Sequence, residues 1–359
     1  HLQGRSLLAT GLVATMSATL VGFGLLVPAT ALAATGCHAA GDTGLDAAVV
    51  LRSGAHVRGL HVDATGCDIG IFIGPGSTGT TVTGSTVTGA NDHGIFVENA
   101  SRVTLAQNLV EGNGIHPTAG IAENKAIQLT GTSNSIVRGN RVMNNVADGG
   151  IGVSDNGPLD PAAPQGSKSL HRGSGNLIVD NVVEGNTTGC GIVVAAYNPG
   201  AGVWNNWVVG NTIGGQVGTG IVGGIVVAAD PPATAAGGNR IIANTVTNSL
   251  IPGIIVHSNA PGDSVSDTLV AANRLSNDGW ARTDGPAAKV AIIVAGPTFP
   301  APVPQARISG TWVVGNQIAS NQDIGVCFSL TATKSVVLGF GANHAATPVM
   351  HSADCFGSN

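Results

Sequence analysis

The sequence predicts an all-β chain wound as a parallel solenoid, and two observations lead there. The first is composition: of 359 residues 54 are Gly and 27 are Asn, while only 10% are charged and 3% aromatic. Ordinary chains carry about 25% charged residues and about 7% Gly, so long salt-bridged helix surfaces are excluded. Gly and Asn tolerate the left-handed backbone of tight turns, which describes short strands joined by many bends. Collagen and disorder are excluded as well, because there is no Gly-X-Y period and the mean hydropathy is +0.29.

The second observation is repetition. A small residue followed by three mostly apolar ones recurs at Gly94–Val97, Ala126–Leu129, Gly150–Val153, Gly191–Val194, Gly224–Val227, Gly253–Val256, Ala291–Val294 and Gly325–Phe328, at spacings of 32, 24, 41, 33, 29, 38 and 34 residues. Most are preceded by an Asn with an aliphatic residue two positions later, at Asn108, Asn140, Asn181, Asn211, Asn244, Asn273 and Asn316. A unit of this size cannot bury its apolar face alone and must stack on copies of itself. Equivalent strands then pair about 4.8 Å apart, Val and Ile fill a central column, and the Asn side chains form a hydrogen-bonded ladder along a bend. A propeller or sandwich would need two-residue Asn-Gly or Asp-Gly hairpin turns, which are scarce between the apolar strands.

The pattern Asn-x-[Val/Ile]-x-x-Asn followed by Gly-Ile-[Val/Ile]-Val resembles the right-handed parallel β-helix repeats of the pectate-lyase-like superfamily, including bacterial NosD-type carbohydrate-binding and sugar-hydrolysis repeats. The resemblance covers roughly residues 55–345. It implies a right-handed parallel β-helix of roughly 8–11 coils with short capping segments, in a secreted protein that handles glycans along its outside. That superfamily spans lyases, hydrolases, epimerases, tailspikes and adhesins, so the resemblance carries over no catalytic residue.

Residues 1–33 read as a secretory signal: Arg5, an apolar run from Leu7 to Pro28, then Ala31-Leu32-Ala33 as an A-x-A cleavage site. Residues 34–359 read as one domain, with repeat coils over 54–340 and a closing segment over 341–359 containing His344, His351 and Asp354. No segment beyond the signal is apolar enough to span a bilayer. Asp42–Leu51 is expected as a helical N-terminal cap, or, from Asp46 onward, as a first strand. Export implies an oxidising compartment, so Cys37–Cys67 and Cys327–Cys355 are expected as one disulfide at each end, leaving Cys190 buried as a small hydrophobe.

A net charge of −5 argues against a nucleic-acid partner, and the expected partner is an extracellular polysaccharide bound by a monomer. Chemistry is expected where the repeat is broken, above all in the insertion Ser154–Gly175 with Asp155, Asp160, Lys168, His171 and Arg172. Aligning the strands suggests a polar column just beyond their ends. In it Asp155 and Asp230 are an acid–base pair about 10 Å apart, near the upper end of the roughly 6.5–9.5 Å an inverting glycosidase needs. Tyr197 lies between them as a stacking or proton-donating group and His257 shuttles protons. Glu98, Asn156, Asn198, Asn259 and Arg172 are expected to bind substrate. The turn-forming alternative stands beside this, since Asp-Pro and Asn-Pro start ordinary turns. No cofactor is expected, with calcium on Asp148, Asp155 and Asp160 as the exception considered; the spacing matches no calcium loop. Trp204, Trp207, Trp280 and Trp312 are candidate sugar platforms. Trp204 and Trp207, like His56 and His61, are expected to face opposite sides of a strand. The functional expectation is polysaccharide binding with hydrolysis before lysis; the alternative is a non-catalytic adhesive rod.

Overall fold

The computed structural model describes residues 31–33, 36–118, 124–146, 148–159, 169–215, 224–279, 289–320, 322–339, 342–352 and 355. The signal reading falls outside them except for Ala31–Ala33, whose backbone pairs in parallel with His61–Asp63. Every element described is a strand or turn, and the chain winds through four parallel sheets. Sheet I, with twelve strands, holds the recurrent apolar element; sheet II has six short strands; sheets III and IV have ten each. A coil runs I, II, III, IV, as in Ile151–Ser154, Gly173–Ser174, Leu177–Val179 and Val182–Glu184. In sheet I, Ile95 pairs with Ile127, Ile127 with Ile151, Ile151 with Ile192 and Ile192 with Ile225, reproducing the sequence spacings.

Period-two alternation turns Ile95, Val97, Ile127, Leu129, Ile151 and Val153 inward, where they join Val and Ile from the other sheets in one continuous core. At about 1.5–3 kcal/mol for each buried aliphatic side chain, this column is the main source of stability.

Buried asparagines hold the corners. The column predicted from Asn108 to Asn316 is unbroken: each amide nitrogen donates to the next Oδ1 at 2.9 Å through Asn140, Asn181, Asn211, Asn244 and Asn273. The same Oδ1 also accepts the backbone N–H of the Asn one coil earlier, so each oxygen closes a forked pair. Two further ladders occupy other corners, one through Asn176, Asn206 and Asn239 and one through Asn113, Asn145 and Asn186. Left-handed residues precede the ladder Asn, for example Gln107, Gly139, Asp180 and Ala243.

Of the two expectations for the N-terminal end the strand holds and the helical cap does not: Asp46–Leu51 is the first strand of the helix, and Thr347–Ser352, in the expected closing segment, adds a last strand to sheet I beside Ile324–Ser329. Both apolar edges thus gain a paired neighbour. His38–Ala39 covers the first strand in antiparallel register. Both expected disulfides are present, and Cys190 is half-buried, not buried. His56 and His61 are both exposed, because a corner at Gly59–Leu60 puts them on separate strands.

Two outcomes test the corners. Asn211→Ala orphans the forked pair from Asn181 and the carbonyl of Ile178, and is expected to cost roughly 2–4 kcal/mol by denaturant unfolding, with less lost at the terminal Asn316. Asp278 occupies a ladder corner, accepting the Ser249 N–H at 3.1 Å, and burial pushes its carboxyl up to about 8. The proton it retains gives stability fully present below the ordinary value of 3.8 and lost as pH rises through about 8. Asp278→Asn is therefore expected to gain on the parent protein as pH rises from 4 to 9, by roughly 2–5 kcal/mol.

Candidate functional site

On the outer face of sheet I most rungs are apolar: Ile69, Phe72 and Phe96 at one end and Val193, Ala195, Val226, Ala228 and Ile255 farther along. Between them lies a buried polar patch on the rungs His93–Glu98, Ile127–Thr130 and Ile151–Ser154. The register sets Glu98 beside Thr130 and Thr130 beside Ser154, while Gln128 stands over Gly152. The Gln128 amide donates to both hydroxyls at 3.1 Å. A Cβ on Gly152 would meet Gln128 Oε1 at 1.9 Å and Lys125 Cγ at 2.8 Å, so a bare backbone is what lets both side chains fold across. Lys125, 1% exposed, is ion-paired with Asp148, and its carbonyl accepts from His93 Nδ1 at 2.9 Å. The His93 ring stacks on Phe96 with centroids 4.8 Å apart.

Glu98 is the unusual member. Its Oε1 accepts from Asn156 Nδ2 at 3.1 Å, and its Oε2 has no partner among the described residues. Burial, reinforced by the Asp42 carboxylate, raises its pKa to about 7 against the opposing Asn156 bond. Asn156 also pairs through its backbone with His171 at 2.7 and 3.0 Å, closing the base of the insertion expected to carry chemistry. The interior of that insertion, with Asp160 and Lys168, lies outside the described residues, as do Trp280 and Asp354.

Of the expected site residues, Glu98 and Asn156 come together here; the polar column does not form as expected. Ser154 pairs with Ala195 and Ala228 with His257, so Asp155 falls one residue before the row of Tyr197, Asp230 and Asn259, and His257 two before it. One residue of slip reverses the face. Asp155 is fully buried and accepts the backbone N–H groups of Tyr197, Asn198 and Gly202 at 2.8, 3.0 and 2.7 Å, which makes it the clasp of that bend. Burial nevertheless holds its pKa above the usual carboxylate range. Tyr197 packs with Val193 and Val226, and Asn198, also buried, caps the Leu159 N–H. Asp230 remains exposed, bonded through Asn259 to His257, whose half-buried imidazole is shifted down by desolvation. Arg172 lies 6.0 Å from the Trp204 ring. Trp204 and Trp207 both face outward, on sheets II and III, because a corner separates them.

The donor sets do not favour calcium: Asp148 is held by Lys125 and Asp155 by backbone N–H groups. Among the described residues the one compact His/Cys/Asp/Glu group is Cys37, Asp46 and Cys67, and its sulfurs are joined to each other. Sequence reasoning missed His93, Lys125 and Gln128, although Gln128 is polar where the equivalent strands carry apolar residues or Gly.

Asp155→Asn is expected to cost about 2–3 kcal/mol by unfolding, since an amide presents N–H to backbone donors, while Asp230→Asn leaves stability unchanged.

Three solved structures align with most of the chain. The surface adhesin PfbA of Streptococcus pneumoniae superposes with a TM-score of 0.61 at 13% identity, over 87% of this chain and 73% of its own. A Yersinia enterocolitica family 28 exopolygalacturonase gives 0.49 at 12%, over 85% of this chain and 47% of the enzyme. The A-module of an Azotobacter vinelandii mannuronan C-5 epimerase gives 0.44 at 15%, over 83% and 72%. At such identities the likeness is one of fold. No curated protein matches the chain. The sequence model for the right-handed beta helix region matches residues 47–227, half of the chain, and with the stacked parallel sheets it establishes that this protein belongs to the right-handed β-helix family.

Proposed function

We propose that this is an extracellular polysaccharide-modifying β-helix protein, hydrolytic before lytic, with Glu98 as its proton donor. The supporting observation is the Glu98 carboxyl itself: one oxygen satisfied, the other without a described partner, and a proton retained to about pH 7. A carboxyl tuned toward the working pH is what general acid catalysis uses. Asp42, exposed and close enough for its charge to raise Glu98, is the second carboxylate. The hydroxyls of Thr130 and Ser154 stand beside Glu98 on the next two rungs, buried and engaged by the Gln128 amide, and form the polar wall behind it. Paired cysteines at both ends suit an oxidising compartment outside the cell. The non-catalytic rod is the second reading, favoured by the closure over Glu98, which is only 2% exposed.

The test is reducing-sugar release, with absorbance at about 235 nm to detect lysis, on plant, algal and bacterial polysaccharides. Glu98→Gln is expected to lose about 10²-fold or more while remaining folded. Activity is expected to fall as pH rises through about 7, where Glu98 loses its proton. Asp42→Asn removes the second carboxylate together with a neighbouring negative charge, so activity should drop sharply and the residual activity should fall at lower pH than in the parent. Equal activity in Glu98→Gln overturns the assignment of Glu98 as proton donor, and silence of the folded protein across the panel selects the rod.

A further inference from the structure

Sheet III changes character along the rod. Its early rungs present His56, Arg58, Thr81 and Thr83 outward, whereas the last six, from Leu177–Val179 to Val336–Leu338, are dominated by aliphatic and indole side chains. Trp207 is 43% exposed, Trp312 49% and Leu338 48%. Trp207 and Trp312 occupy the same outward position three rungs apart, about 14 Å along the axis. Between them the Arg240 guanidinium lies 5.0 Å from the Trp207 ring centre. Across all ten strands of this sheet no outward position carries a carboxylate, although the chain has 20 Asp and Glu against 15 Lys and Arg. Arg58, Arg138 and Arg240 are the formally charged groups on the face.

We propose that the outer face of sheet III, from Leu177 to Leu338, is a docking strip for one chain of an anionic polysaccharide. The dimensions select a linear polymer. Three-residue strands make the strip about 10 Å wide, and six rungs make it about 24 Å long. The resulting area of roughly 250 Å² is far below the roughly 800 Å² per partner of a stable protein–protein interface, which disfavours a second copy of this chain. Exposed indoles offer flat apolar surface to the C–H faces of sugar rings, and Arg240 supplies a planar cation for a carboxylate or sulfate. The strip shares the glycan partner of the proposal above and none of its residues, so it can hold a polymer whether or not Glu98 acts on it.

Affinity electrophoresis of the full chain in gels containing polygalacturonate, alginate or neutral dextran tests this. The parent protein is expected to be retarded by the anionic polymers, less so at high salt, and to pass freely through dextran. Trp207→Ala with Trp312→Ala should weaken retardation on the order of tenfold or more. Arg240→Gln, which leaves both indoles, should weaken it several-fold and flatten its salt dependence. Glu98→Gln should bind as the parent does, so loss of catalysis and loss of docking are read separately. Retardation unaltered by the tryptophan and arginine substitutions, equal retardation in dextran, no retardation in any gel, or a dimer in sedimentation that Trp312→Ala abolishes would each overturn the proposal.

Discussion

Everything in this molecule depends on the buried amide at the corner of each coil. An Asn side chain donates in one direction along the column and accepts from the opposite direction, so one residue satisfies its own polar atoms and the backbone of its neighbour. Because Oδ1 takes both the amide and the main-chain N–H of the preceding Asn, the link tolerates no slip of register. Fixed register in turn decides which side chains enter the core and which face outward, on a fold where one residue of slip exchanges the two faces.

That dependence explains the outer surfaces. With the inward positions committed to Val, Ile and Leu, the outward positions of sheets I and III are where the sequence is free to vary. Sheet I uses that freedom to enclose an ion pair, a histidine, an amide and a carboxyl whose pKa burial raises between two apolar stretches. Sheet III uses it to leave indoles uncovered. A buried carboxyl near neutrality costs stability that an aliphatic residue would not, and is the kind of arrangement that function maintains.

The spacing of the Gly-Ile-Val-Val element and the Asn column were legible because each is a local property repeated from coil to coil, and the terminal cysteine pairs because each spans about one coil of sequence at an end. The candidate site was less so. Asp155 and Tyr197 were aligned by counting from the strand, but the strands Ile192–Ala196 and Ile225–Ala229 run past Val194 and Val227 before turning, which moves the row by one. Glu98 meets Asn156 from 58 residues away and feels Asp42 from the opposite side, and neither neighbour leaves a mark on local periodicity. Trp204 and Trp207 read as one strand because corners of two residues are as short as the intervals within strands.

The cysteine pairs at the two ends have a mechanical consequence. A stack whose coils touch only their neighbours ordinarily peels from its tips, where a coil has one neighbour and not two. Here Cys37–Cys67 staples the opening turn and Cys327–Cys355 the closing one, each across about one coil of sequence. Peeling is thereby blocked at both tips while the bonds are intact, and the rod's first breach moves to its interior. The surrounding thiol potential then decides whether the rod frays like a rope or snaps like a stick.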